Sequence, residues 1–382
     1  MDNCIALFFA GDVFAAGEPH EKGIIGEELL KKMNSHDFRS CNFEAPVKAA
    51  GSEPVLKAGP AIFQRESVAK VLVDAGFDLF NIANNHIMDF GVKSLENTIS
   101  MFKNVHVIGA GLNFTEANKN VVKEIKGVKF SFLAFAEWGF GASTGPEMPG
   151  FAWINSPCAD QIIVDAKRNC DFLIVQAHAG VEEIDLPLPE WRRRFKKLIE
   201  LGADAVICHH PHVPQGVEIY RGKPIFYSLG NFYFDYNGAD KAEFWDYGYC
   251  VSLKFENARY KGFEIIAHRK KDGVVEVCAD EKFLIRLLKL NEMLSESVYE
   301  QKMDEIVEWL WQNRYLKFYN DSLGVKTDFT FFETVKLMIK KFMGIPAYKQ
   351  EIQGPLLCHN LAIESHRWAV QRYCALKGGF LY

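Results

Sequence analysis

Three imidazoles within four residues, at His209, His210 and His212, are the densest chemistry in the chain. They follow an apolar run, Ala203–Cys208, and four other apolar runs end in the same way. Asp12 follows Ile5–Ala10, and Asn42 and Glu44 follow Phe38–Cys41. Asn84, Asn85, His86 and Asp89 follow Phe80–Ala83, while His178 and then Glu182 follow Phe172–Ala177. Imidazoles with carboxylates and amide oxygens, and no thiolate pair, suit a borderline divalent metal such as Mn, Fe, Zn or Co. His210-Pro211-His212 separates two imidazoles by one residue. An extended loop would direct them apart, serving two neighbouring ions better than one tetrahedral ion. A carboxylate bridging two such ions completes a centre that polarises a phosphoryl or acyl oxygen and makes hydroxide near neutral pH. His86 would then protonate the leaving group as a general acid.

Taken singly, each residue has a plainer reading. His178 reads as a hydrogen-bonded loop histidine, and Asn84-Asn85 and Gly230-Asn231 as turns. Asp89-Phe90-Gly91 reads as a helix start. The basic run Arg192-Arg193-Arg194 with Lys196-Lys197 reads as a solvated helix face. Convergence of the whole set is what distinguishes a metal centre from these.

The elements that must position these residues alternate. Strands are expected at Ile5–Ala10, Phe38–Phe43, Phe80–Ala83, Val105–Ile108, Lys129–Phe135, Phe172–Ala177, Ala203–Cys208, Pro224–Ser228 and Tyr249–Phe255. Helices are expected at 23–36, Ser67–Ala75, Val92–Phe102, Asp160–Lys167 and Pro189–Leu201. Strands alternating with helices imply an α/β layered core. Ligands in such sheets bind beyond the carboxyl ends of the strands, where all five polar groups fall. From about residue 282 β-type runs stop, and Phe283–Leu294, Tyr299–Leu310, Phe331–Phe342 and Leu361–Leu376 carry helical periodicity. The expected division is 1–280 and 281–382, the second part helical. His359 and His366, seven apart, would share one face of a continuous helix.

Composition bounds the rest. The 382 residues are 48% hydrophobic and 24% charged, an ordinary globular balance that excludes disordered, collagen-like and disulfide-rich classes. Lys and Arg number 44 against 49 Asp and Glu, for a net charge of −5, which gives a nucleic-acid partner no basic footprint. Nine cysteines without CxxC spacing suggest a reducing compartment. Asp2 precedes the first apolar run, which stops at Asp12, so no signal-peptide plan fits. No run reaches 18 apolar residues, so no membrane span is expected. A soluble cytoplasmic protein is the resulting expectation.

In order along the chain stand Phe9-Ala-Gly-Asp12-Val, Asn42-Phe-Glu44-Ala-Pro46, Ala83-Asn-Asn-His86-Ile-Met-Asp89-Phe-Gly91, His178-Ala-Gly-Val-Glu182 and His209-His-Pro-His212-Val-Pro-Gln215. Gly222-Lys-Pro-Ile-Phe-Tyr-Ser-Leu-Gly-Asn231-Phe follows. Over roughly residues 5–255 this closely resembles the CapA-type family, capsule and poly-gamma-glutamate synthesis proteins with a calcineurin-like metallophosphoesterase fold. The resemblance implies a four-layer α/β/β/α sandwich. It implies metal ligands at Asp12, Glu44, Asn85, His178, His210 and His212 for one or two divalent ions (Mn, Fe, Zn or Mg), with His86 acting on the substrate. Asn42, Asn84, Asp89, Glu182, His209 and Asn231 would line the site or support it. Where typical metallophosphoesterases have Asp-x-His, this chain has Asp12-Val-Phe14, so one ligand is missing. The expected function is a metal-dependent enzyme of capsule, exopolysaccharide or poly-gamma-glutamate-type biosynthesis, performing phosphoester hydrolysis or related acyl or amide chemistry. Its partner would be a phosphorylated, saccharide or glutamyl-type molecule or polymer, and a capsule synthase is a further candidate partner. The alternative is a non-catalytic assembly component of a synthase complex, with a nucleic-acid phosphoesterase ranked well behind.

Overall fold

The computed structural model describes residues 4–19, 23–236, 241–323, 335, 338–339, 342–343 and 350–380. They form two compact units, Met1–Val55 with Ile62–Tyr299, and Leu56–Ala61 with Glu300–Tyr382.

The first unit is built on two mixed sheets. One has the order β16 (Val274–Val277), β15 (Arg259–Lys271), β14 (Tyr247–Glu256), β1 (Cys4–Phe14), β2 (Phe38–Phe43), β3 (Leu79–Asn81) and β4 (His106–Ile108), with β13 (Asn231–Phe234) pairing the far end of β1. The other runs β11 (Val217–Tyr220), β12 (Lys223–Phe226), β10 (Ala205–His209), β9 (Phe172–His178), β7 (Val128–Ala136) and β6 (Val121–Ile125). The central strands of each, β1 to β4 and β7, β9, β10 and β12, are parallel, so their carboxyl ends share one edge. Strands buried on both faces need near-continuous apolar runs, which is how β7 and β9 read.

Aromatic side chains fill the space between the sheets. Phe132 meets Phe9 and Phe38 at 6.5 and 4.8 Å between ring centres, and Phe255 meets Phe130 and Phe172 at 4.9 and 4.6 Å. Helices cover the outer faces. Val68, Ala69 and Leu72 of helix Glu66–Ala75 and Leu95 of Gly91–Met101 are buried over the first sheet. Ile163 of Ala159–Arg168 and Trp191, Phe195 and Leu198 of Pro189–Glu200 are buried over the second. The arrangement is the expected four-layer α/β/β/α sandwich.

Three local expectations change. The helix expected over 23–36 is Glu27–Asn34, because Ile25 bridges Val275 and the Gly26 N–H donates to the Val275 carbonyl at 2.9 Å. β6, β11, β15 and β16 were not foreseen. They lie at or beside sheet edges, where half-exposed residues blur the apolar pattern. In the second unit the helix expected at Leu361–Leu376 is two, Gln350–Ala362 and Glu364–Gly378, parted at Ile363, whose backbone is extended. The His359 and His366 rings still meet, 4.6 Å apart, across that break instead of along one helix. The helix expected at Phe331–Phe342 lies almost wholly outside the described residues. Among the described residues no helix is long and apolar enough to cross a membrane.

Candidate metal centre

Register brings the polar strand ends together. Asp12 on β1 lies opposite Asn42 on β2 and Asn231 on β13, and His178 at the end of β9 lies opposite His209 at the end of β10. The Asn42 amide donates to Asp12 Oδ1 at 2.7 Å, and the His210 backbone N–H donates to Asp12 Oδ2 at 3.2 Å. β1 and β13 approach so closely that a Cβ on Gly11 would stand 2.0 Å from the Gly230 carbonyl oxygen.

Two groups of donor atoms meet at Glu44. On one side His178 Nε2 stands 3.0 Å from His210 Nδ1, 3.1 Å from Asn85 Oδ1 and 3.8 Å from Glu44 Oε1. On the other, His212 Nε2 is 3.6 Å from Glu44 Oε1, and His212 Nδ1 is 3.5 Å from Asp12 Oδ2 and 2.9 Å from Asn231 Oδ1. Asp12, Glu44 and His212 each offer a ligand atom within 4.8 Å of the others, and so do Glu182, His210 and His212. Asp12, Asn42, Glu44 and His178 are fully buried.

The loop carrying the last histidines is not extended. His210 and His212 both have left-handed backbones, with φ of 96° and 59°. A ring nitrogen of each, with a Glu182 carboxylate oxygen, lies within 4.8 Å of the others, so the loop does not direct the two imidazoles apart as an extended one would.

The electrostatics favour metal-ready protonation states. Burial, reinforced by the charges of His210, His212, His209 and His86, holds His178 well below the usual imidazole value. Burial likewise lowers His210 to about 4, against the opposing pull of Glu182 and Asp12. Burial raises the Asp12 carboxyl, but the hydrogen bond and charge of His209, the charge of His212 and the His210 N–H outweigh it, and the net shift is downward. Neutral imidazoles and ionised carboxylates are the forms that bind cations. A single shared proton can satisfy only one of the short contacts around His178 Nε2 at a time, whereas one cation satisfies all of them. The donor set therefore fits a divalent ion.

The remaining expected residues fall into distinct places. His86 Nδ1 lies 2.7 Å from Asp89 Oδ2, which also accepts the Ile62 N–H at 2.9 Å. His209 is fully buried, 3.4 Å from Asp12 Oδ1 and 3.3 Å from Gln176 Oε1. Asn84 turns to the backbone: its Oδ1 accepts from Ala45 and His86, and its Nδ2 donates to Phe43. Glu182 is exposed. Phe14, at the position of the missing histidine, packs with Ala45, Phe234 and Trp245, and the His212 ring lies 4.6 Å from Phe234 and 5.2 Å from Trp245.

Two residues at the centre escaped the sequence reading. Gln64 bridges the strand ends, donating to the Val13 and Glu44 carbonyls and accepting from the Ala15 N–H; nothing in its surroundings in sequence marks it. Glu137, directly after β7, brings Oε1 to 3.4 Å from His210 Nε2. It is the first polar residue beyond an apolar run, the same signal that singled out Asp12 and His178.

A family model described as bacterial capsule synthesis protein PGA_cap matches residues 6–236. The chain is 35% identical over 212 residues to a capsule biosynthesis protein CapA of Bacillus anthracis, covering 53% of this chain and 52% of that protein. It is 33% identical over 250 residues to a PGA biosynthesis protein CapA of Bacillus subtilis strain 168, covering 61% and 64% respectively. It thus spans between half and two thirds of these relatives. Among solved structures, a putative 5'-nucleotidase from Staphylococcus aureus, in complex with alpha-ketoglutarate, aligns at a TM-score of 0.46 and 16% identity, over 75% of this chain and 58% of that one.

Proposed function

The chain belongs to the bacterial capsule synthesis family PGA_cap, and from that premise we propose that it is a metal-dependent, hydrolase-like enzyme of capsule or poly-gamma-glutamate-type polymer synthesis. The observation that carries this reading is Glu44, set between His178 Nε2 on one side and His212 Nε2 on the other. Glu44, Asn85, His178 and His210 would hold one ion, and Asp12, Glu44 and His212 a second. The chemistry such an ion would supply there is polarisation of a phosphoryl or acyl oxygen and acidification of a bound water.

The chain's own residues supply the rest. Asn42 and the His210 N–H fix the Asp12 carboxylate, and Asn231 holds His212 by its Nδ1, leaving Nε2 to face Glu44. Asp89 accepts the His86 Nδ1–H, so Nε2 is the ring atom that hands a proton to a leaving oxygen or nitrogen. The substrate class is a phosphorylated, saccharide or glutamyl-type molecule or polymer.

A second reading, a non-catalytic assembly component, is favoured by one feature. Phe14 and its aromatic neighbours occupy the side where an additional ligand would complete the Asp12 half of the centre.

Metal content per chain, measured by plasma mass spectrometry on protein purified without chelators or affinity metals, separates the two. One to two Mn, Fe or Zn ions, lost in Asp12→Ala/His210→Ala, is the expected result. His86→Ala should keep its metal and lose about 10²–10⁴-fold in turnover across a phosphoester and amide panel. No stoichiometric metal, even after reconstitution, would reject the enzyme reading in favour of the assembly component.

A further inference from the structure

Glu137 is one step past Ala136, which lies opposite His178 in the β7–β9 register. Its backbone N–H donates to the His178 carbonyl at 3.0 Å, so the main chain at Glu137 is tied to the strand end that presents His178. The side chain is 4% exposed. It runs to the far side of the His210 ring, where Oε1 is 3.4 Å from Nε2, while the other ring nitrogen, Nδ1, is 3.0 Å from His178 Nε2. The ring thus stands between the Glu137 carboxylate and the point where His178, Asn85 and Glu44 converge.

A neutral imidazole carries one proton, and the atom that keeps it decides which nitrogen offers a lone pair. A carboxylate beside Nε2 retains the proton there and leaves Nδ1 as the donor atom. Ligating histidines commonly depend on such a carboxylate for tautomer and ring orientation. His210 has particular need of it, because its left-handed backbone, φ 96°, gives its side chain no ordinary strand or helix context. Of the other acids near this ring, Asp12 belongs to the ligand set and Glu182 is exposed, so Glu137, buried and beside Nε2, is the one that can fix the ring.

We infer that Glu137 is a positioning residue of the metal centre, accepting the Nε2–H of His210 so that Nδ1 is presented to a divalent cation. This rests on the metal reading above. It assigns a role to a carboxylate outside the ligand set and makes β7 the strand that tunes the centre.

Co²⁺ is the probe, with the full chain titrated against a chromophoric chelator and its visible d–d absorption recorded. Glu137→Ala should weaken Co²⁺ binding about 10–100-fold and alter the d–d spectrum. Glu137→Gln, whose side-chain carbonyl still accepts from Nε2–H, should remain within about threefold of the wild type. In a His210→Ala background, Glu137→Ala should cost nothing further. If the alanine variant folds poorly, Glu137→Met against Glu137→Gln makes the same comparison at matched length. Wild-type affinity and spectrum in Glu137→Ala, or an equal loss in the His210→Ala background, would overturn the assignment while leaving the metal centre intact. A wild-type chain that binds no Co²⁺ would overturn both.

Discussion

His86 and Asp89 stand three residues apart after β3, and their side chains meet at 2.7 Å with both nearly buried. A carboxylate there orients the ring and stabilises the imidazolium formed when the ring takes up a proton. Asp89→Asn keeps an oxygen near Nδ1 but removes the charge, and a flipped amide would face the ring with its NH₂ instead. The expected outcome is a loss of about 10²-fold or more in turnover with metal content unchanged. An undiminished rate would remove the pair from the chemistry. The residue scale is also where the departure from the Asp-x-His pattern, visible in the sequence as Asp12-Val-Phe14, takes its structural form. Phe14 is an aromatic where a ligand is usual, and its contacts with Ala45, Phe234 and Trp245 make it part of a small apolar wall, not a gap awaiting a side chain.

At the scale of elements, the centre depends on how closely β1 and β13 approach. Gly11 has no left-handed backbone to justify it; what excludes a side chain is the Gly230 carbonyl oxygen 2.0 Å from where its Cβ would sit, with the Phe232 nitrogen at 3.3 Å. Backbone cannot rotate away as a side chain can. Gly11→Ala should therefore destabilise the protein by about 2–3 kcal/mol in denaturant unfolding and reduce metal content, since Asp12 and Asn231 are the next residues on the two strands. Unaltered stability and metal content would show that the strands part without consequence. The same strand logic sets what was legible. Parallel central strands are continuous apolar runs ending at one edge, so the polar residues at their ends announced themselves at Asp12, Asn42, Glu44, His178 and His209. Glu137 obeys the same rule after Phe132–Ala136. Strands at or beside the sheet edges were hidden, as with β15, of which only three of thirteen residues are buried, although Asp272-Gly273, both with positive φ, is a hairpin signal between β15 and β16. The left-handed turns at His210, His212 and Ala45 had no signal, since a positive φ is uncommon outside glycine and nothing in the flanking sequence demands one.

For the molecule as a whole, a buried histidine outside the ligand set sets how stability responds to acid. His268, on β15, is fully buried, and among the described residues neither ring nitrogen has a hydrogen-bond partner; its ring packs edge-on to Phe232 at 5.2 Å, and a Cβ on Gly248 would come within 2.9 Å of both Cε1 and Nε2. Burial alone lowers it from 6.5 to about 3. In the unfolded chain the same group takes up a proton near pH 6.5, so between 6.5 and 3 the unfolded state binds more protons than the native one. The contribution of a neutral His268 is therefore complete above about pH 6.5 and is lost progressively as the pH falls towards 3. Every other acid-sensitive group is common to the wild type and a His268→Leu variant, so the difference between their unfolding free energies isolates this one. Leucine is close in volume and has no polar atom to leave unsatisfied, so the two should lie within about 1.5 kcal/mol at pH 7.5. Below pH 6 the variant should gain steadily on the wild type, the difference widening by up to about 1.4 kcal/mol per pH unit until the pH nears 3. Parallel stability curves from pH 7.5 to 4 would mean that His268 finds a proton acceptor or water in the native protein, and that the acid limit of the fold lies in its carboxylates.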